Sequence, residues 1–124
     1  MQYILMIHGD EAAMQSAPKA ATEQMMAAYR AYNEALISAG AMRSGERLHP
    51  SNAATVVRAQ NGKTQVLNGP YAEIKEQLGG FYMIDVPDLD AAIAWAARCP
   101  GASHGAIEVR PIWAMYERKP ASVG

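Results

Sequence analysis

The stretch Asn68-Gly-Pro-Tyr-Ala-Glu-Ile-Lys-Glu-Gln-Leu-Gly-Gly-Phe-Tyr82 constrains this chain more than any other. Asn68-Gly69-Pro70 is a turn, because Gly tolerates positive φ and Pro fixes its own. A short charged run follows, with Ala72 to Gln77 predicted as a single helical turn. Gly79-Gly80 breaks it, and an apolar, aromatic-led run from Gly80 to Val86 predicts a strand. A chain that reverses direction this sharply before entering a strand must build a sheet, with connections packed to one side of it.

The rest of the chain supplies the partners for that strand. Tyr3 to Ile7 is apolar on both faces, which predicts a central strand. Met25, Tyr29, Tyr32 and Leu36, with Met26, Asn33 and Ile37 beside them, recur at helical spacing. They predict a helix from Pro18 to Ala39, with Ser16 as its cap and Gly40 as its stop. Met42 to Leu48 predicts a second strand. Ala54 to Gln60 and Lys63 to Leu67 flank Asn61-Gly62, the strongest short-range hairpin signal. Asp88 caps a helix from Leu89 to Arg98, with Leu89, Ala92, Ile93 and Ala96 inward. Ala106 to Ile112 predicts the last strand. The order matches an α+β, ferredoxin-like split βαβ plan with an inserted β-hairpin. One domain spans 1–116, and the tail 117–124 is expected to fray.

Helices in that plan cover one face of the sheet only. Alternation places Ile107 and Val109 toward the helices, with Glu108 and Arg110 away from them. Phe81 and Met83 oppose Tyr82 and Ile84. Tyr3, Leu5 and Ile7 oppose Ile4, Met6 and His8. The uncovered face is therefore largely apolar with a few charges, a surface that normally meets a partner. A face-to-face homodimer with a cavity between the sheets is the expectation.

At 124 residues, half of them apolar and 19% charged, the chain is globular. The net charge of −1 and the scattered Lys and Arg give no stripe for nucleic acid. The opening apolar run of five residues is too short for a signal peptide or a membrane span. A single cysteine, Cys99, excludes an internal disulfide and fits a cytoplasmic location.

The chain resembles the YCII-related proteins of the DGPF type along essentially its whole length. The resemblance is carried by Met1-Gln-Tyr-Ile-Leu-Met-Ile-His-Gly-Asp10, Gly45-Glu-Arg-Leu-His-Pro50, and Asn68-Gly-Pro-Tyr71 with its continuation Glu73 and Lys75 to Tyr82. Ala96-Ala-Arg-Cys-Pro100 and Glu108-Val-Arg-Pro111 complete it. It implies a bacterial protein with the dimeric α+β barrel fold, of a kind often encoded beside sigma factors of the extracytoplasmic-function type. For the wider group it implies a His–Asp pair in a cleft. Asn68 stands where that type has Asp, and Tyr71 where it has Phe. An amide cannot serve as a general acid or base, although it still binds through hydrogen bonds.

Candidate site residues follow from chemistry and topology. His8 ends the first strand and His104 precedes the last. These strands are antiparallel neighbours in the plan, so both histidines fall at one end and are candidate bases. Arg43, Arg47 and Arg110 could each fork onto an anionic ligand, and Arg110 is best placed because it faces the expected cavity. An ion pair of Arg110 with Glu46, Glu73 or Glu108 of a partner copy is the competing expectation. Asn68, Tyr71, Glu73 and Tyr82 are candidate ligand contacts, and Glu73, Lys75 and Glu76 are placed at the cleft mouth. His49, in a loop beside Pro50, is expected to be structural. No His/Cys spacing suits a metal, and no Gly-rich dinucleotide fingerprint occurs, so neither metal nor cofactor is expected. Three function classes remain open: first a binding or sensing module for a small molecule, favoured by the amide at Asn68; then a cofactor-free enzyme moving a proton or isomerising a ring with a His base and an Arg anchor; and last a dimeric scaffold with no ligand.

Overall fold

The computed structural model describes residues 1–115. The tail expected from Glu117 onward lies outside the described residues. The elements are β1 (Gln2–Gly9), α1 (Glu11–Gln15), α2 (Lys19–Ser38), β2 (Met42–Arg47), β3 (Thr55–Gln60), β4 (Lys63–Asn68), β5 (Gln77–Asp85), α3 (Leu89–Arg98) and β6 (Ala106–Pro111). Single 3₁₀ turns occupy Ser51–Ala53 and Pro100–Ser103. The main sheet has the order β2-β5-β1-β6, and every neighbouring pair in it is antiparallel. β1 and β2 therefore run parallel with β5 between them, and β5 and β6 run parallel with β1 between them. These are two interlocked split βαβ units, the ferredoxin-like plan that the element order predicts. Among the described residues no helix is long and apolar enough to cross a membrane.

The inserted hairpin β3–β4 forms a separate two-stranded sheet. Its turn residues Asn61 and Gly62 both have positive φ, 52° and 75°. That combination matches the right-handed twist of the flanking strands. The hairpin packs little of its surface away: Val57 and Val66, opposite one another, are each 60% exposed.

The core lies between the sheet and the two long helices. Tyr3 and Leu5 of β1, Tyr82 and Ile84 of β5, Tyr32 and Leu36 of α2, and Ala92 and Ala96 of α3 are its buried members. Ile107 and Val109 of β6 pack against them, as alternation predicts. Leu5, Leu36 and Ile84 are the largest fully buried side chains, and truncating one to Ala costs about 2–5 kcal/mol. On the opposite face Ile4, Met6, Phe81 and Met83 are only half-buried. Met6 pairs with Phe81, and Ile4 with Met83, so these four form one apolar square at the sheet's centre.

Polar groups inside the core are paired. The Tyr32 hydroxyl donates to the Trp95 carbonyl at 2.7 Å. That carbonyl belongs to the last turn of α3, where helix geometry leaves the acceptors without partners. The Tyr82 hydroxyl donates to Asn33 Oδ1. Tyr32 meets the rings of Tyr82 and Trp95 edge-on, at 5.3 and 6.1 Å between centroids. Burial, reinforced by the nearby Cys99, pushes the Tyr82 hydroxyl up to about 12 and raises Tyr29 and Tyr32 further. Burial also raises the Cys99 thiol. These groups stay protonated, and the hydroxyls remain donors across the physiological range.

Several local expectations are corrected. Asp10, not predicted as a cap, accepts the Ala13 N–H at 3.1 Å and starts a short helix α1. Ser16 ends that helix, donating to the Ala12 carbonyl, instead of capping α2, which begins at Lys19 after Pro18 without a side-chain cap. No helical turn forms at 72–77; the segment is irregular up to Gln77, where β5 already begins. In α3 only Ala92 and Ala96 are buried, while Leu89 and Ile93 are each 49% exposed. The helix is short and lies close to the sheet on its alanines, which leaves its larger side chains at the flank.

Replacing Tyr32 by Phe removes one donor and leaves a buried α3 carbonyl unpaired. The expected loss is about 1–3 kcal/mol, read as a lower urea midpoint at unchanged slope. Ile37→Ala, at a position 63% exposed, is expected to cost under about 0.5 kcal/mol. Equal effects of the two substitutions contradict this account of the core.

Candidate functional site

The end of β1 where His8 stands is shaped by two irregularities. The β1–β5 register shifts between Ile7, opposite Gly80, and His8, opposite Leu78, so Gly79 is an extra residue in β5. Such a bulge bends the strand and re-aims its side chains. On the other flank His8 pairs with Ala106 of β6. The connection into β6 passes so close that a Cβ on Gly105 would lie 2.1 Å from the His8 carbonyl oxygen. Only glycine permits that approach, and it brings the turn bearing His104 against the end of β1.

A cleft of about 860 Å³ opens here. Its lining is His8 of β1 and Ala106 of β6, Asp10 and Ala13 at the start of α1, His104, and Ile74, Lys75 and Glu76 of the loop 69–76. His8 and His104 thus share one cleft, as the topology predicts. Lys75 and Glu76 line it as expected.

His8 is held from the open face of the sheet. Its Nε2 lies 3.2 Å from Glu108 Oε1. Glu108 Oε2 accepts from an Arg110 guanidinium nitrogen at 2.6 Å. The Arg110 hydrogen bond, then that of His8, holds the Glu108 carboxyl below its ordinary value of 4.5. An ionised carboxylate can only accept, so Nε2 carries the hydrogen. In the neutral ring Nδ1 is then the single basic nitrogen. The link is a diagonal contact. Met6 lies directly opposite Glu108, and long side chains reach across the ladder to the next residue on the same face.

The remaining candidates lie elsewhere. Arg110 pairs with Glu108 of its own strand, which neither expectation for it anticipated. Arg43 donates to Asp85 at 3.3 Å and to the Met42 carbonyl at 3.0 Å, at the opposite end of the sheet from His8. Asp85 also accepts the Met1 ammonium at 2.9 Å; that bond is the main reason its carboxyl is lowered. Asn68 closes β4 opposite Thr55, in the hairpin. Tyr71 is 78% exposed, with the Arg58 guanidinium 5.5 Å from its ring centre. Glu73 lines a second, smaller cleft of about 310 Å³ with Ser51, Asn52 and Gln77. Tyr82 belongs to the core, on the helix side of the sheet. His49 is exposed in its loop. No group of three His, Cys, Asp or Glu among the described residues could hold a metal ion.

The residue missed as a site member is Glu108. Alternation places it on the same face as His8, but only the register between β1 and β6 brings the two together. Asp10 was missed because its capping role requires the α1 helix, which has too few residues to show a period.

The His8–Glu108–Arg110 chain has two expected signatures. Nitrogen-detected NMR should show His8 as the Nε2–H tautomer when neutral, and Glu108→Ala should release it to a mixture. The Glu108 carboxyl should titrate below 4.5. Because its folded value is depressed, its contribution is present above the unfolded value and lost as pH falls through the folded one. A Glu108 midpoint at or above the ordinary value contradicts the chain of contacts.

Comparisons with known proteins follow the same lines. The family model described as YCII-related domain matches residues 1–116. An uncharacterised protein of Rhizobium meliloti (strain 1021) is 38% identical over 119 residues, covering 94% of this chain and 95% of the relative. In fold the chain is similar to 5-chloro-2-hydroxyhydroquinone dehydrochlorinase (TftG) from Burkholderia phenoliruptrix AC1100, solved in complex with 2,5-dihydroxybenzoquinone. The TM-score is 0.53 at 16% identity, covering 91% of this chain and 94% of that one. Sequence and fold agree, and the chain belongs to the YCII-related domain family.

Proposed function

We propose that the protein binds a small polar compound in the His8–His104 cleft and that His8 accepts a proton from it there. The observation that carries this reading is the fixed ring of His8. Glu108 accepts a hydrogen bond from Nε2–H, and Nδ1 is left as the base. A general base held in one tautomer by a carboxylate is a recurring arrangement for proton abstraction, worth about 10²–10⁴ in rate. His104, Lys75 and Glu76 stand in the same cleft without a side-chain hydrogen bond or ion pair among the described residues, free to meet a ligand. The consideration that favoured a purely binding role was the amide at Asn68. That residue lies on the hairpin, outside the cleft lining, and does not bear on a base at His8.

The fold also supports an assembly. The apolar square of Ile4, Met6, Phe81 and Met83, with Glu108 and Arg110 beside it, is suited to a second copy of the chain, and the homodimer belongs to this reading. Residence in the cytoplasm, supported by the single cysteine, and a role beside an extracytoplasmic-function sigma factor, supported by the family resemblance, belong to this reading.

The ligand of the solved neighbour offers a probe, since it is a small acidic ring with exchangeable ring hydrogens. On addition of 2,5-dihydroxybenzoquinone in D2O, the His8 and His104 ring signals are expected to shift saturably and the ring hydrogens to exchange. His8→Gln should slow exchange by at least about 10²-fold while binding persists. Exchange that continues unchanged in His8→Gln leaves a binding role without proton transfer. Phe81→Glu places a charge in the apolar square and should convert a dimer to a monomer in sedimentation velocity; an unaltered dimer places the interface elsewhere.

A further inference from the structure

We propose that Lys75 is the anion-holding residue of the cleft and that Gln77 positions it. This assignment rests on the reading of the cleft as a small-molecule site and specifies what kind of molecule it takes. Among the described residues Lys75 is the one cation in the lining of this cleft; Arg47 at the end of β2 and Lys63 at the start of β4 stand outside it, and four other arginines near the sheet and hairpin are engaged. Arg110 is held by Glu108 and Arg43 by Asp85. Arg58 lies over Tyr71 and Arg98 over Trp95. Lys75 lines the cleft together with the histidines and has neither ion pair nor hydrogen bond among the described residues. An ammonium is a compact charge with three donors on a flexible stem, suited to an anionic group whose position varies. Asp10 and Glu76 in the same lining accept hydrogen bonds. The ligand class that satisfies all of these is a small anion that also carries a hydroxyl group.

Lys75 sits on a segment with no regular structure, so something must hold it in place. Gly69 N–H donates to the Ala54 carbonyl at 2.7 Å where the segment begins. Gln77 braces its other end from both sides. Its Oε1 accepts the Glu11 N–H at 3.1 Å, and its Nε2 donates to the Ile74 carbonyl, adjacent to Lys75, at 2.8 Å. The Glu11 carboxylate in turn accepts from the Ser51 hydroxyl at 2.7 Å and from the Ser51 N–H. One glutamine side chain therefore joins the start of α1 to the backbone that carries the cation. Behind this segment lies the second cleft, lined in part by the same Ile74 and Gln77, so the loop is a partition with open volume on both sides. The brace fixes the backbone next to Lys75 on the His8 side.

The test compares 2-hydroxybenzoate with its neutral partner 2-hydroxybenzamide, titrated into the full chain while the His8 and His104 ring signals are followed. The anion is expected to bind about tenfold more tightly than the amide, the size of one modest charge contact. Lys75→Gln should abolish that preference and leave the affinity for the amide unchanged, and Lys75→Arg should restore most of it. Gln77→Ala should weaken binding of the anion and speed amide hydrogen exchange at 74–76, which Lys75→Gln should not do. Equal affinities of the two probes, or an anion affinity untouched by Lys75→Gln, overturn the assignment while leaving the cleft as a site. Anion binding and loop exchange both unchanged in Gln77→Ala overturn the positioning role. If neither probe shifts the histidine signals, the cleft reading fails, and the role of Lys75 fails with it.

Discussion

Strand β1 carries the structure because, with β5, it lies at the centre of the described sheet and sets the register of both its neighbours, β5 and β6. Tyr3, Leu5 and Ile7 face the helices and anchor the core. Ile4, Met6 and His8 face the other way. A slip of one residue would exchange these sets, exposing Leu5 and driving His8 among the aromatic groups of the core. The register that buries Leu5 is therefore the same register that presents His8 beside Glu108. Stability and the geometry of the site are fixed by one set of backbone hydrogen bonds.

The core itself is less oily than its composition implies. Tyr29, Tyr32, Tyr82, Asn33 and Cys99 occupy the space between α2, α3 and β5, and two of the hydroxyls make directed bonds. A purely aliphatic interface would let the short α3 slide along α2. A hydroxyl that must find the last-turn carbonyl of α3 defines a single position. Paired polar groups in a core contribute to uniqueness at little net gain in energy.

Much of the plan is legible in the residues, and the reason differs by element. The strands alternate, α2 has a full helical period, and Asn61-Gly62 allows one kind of turn, so each declares itself locally. Asp88 declares the start of α3 by capping it. What is not legible depends on distance or on shortness. α1 is too brief to show periodicity, and the segment 72–77 has helix-forming residues but no surface to pack on. Leu89 and Ile93 have the right spacing to point inward, yet the helix approaches the sheet through its alanines. In the site, the common location of His8 and His104 follows from topology. The pairing of His8 with Glu108 and of Arg110 with that same carboxylate follows only from register. Tyr82 and Arg43 have suitable chemistry but lie on the wrong face or at the wrong end.

The hairpin β3–β4 has a different kind of consequence. Two strands alone are marginal in water, and this ribbon leaves its valine pair to solvent. Its amides should therefore open on a local free-energy scale, while those of β1 and β5 open only with the whole domain. One small chain thus contains two thermodynamic compartments, a stiff sheet and a soft ribbon. Any contact that orders the ribbon would be registered as protection in residues far in energy, though near in sequence, from the element that supplies the chemistry.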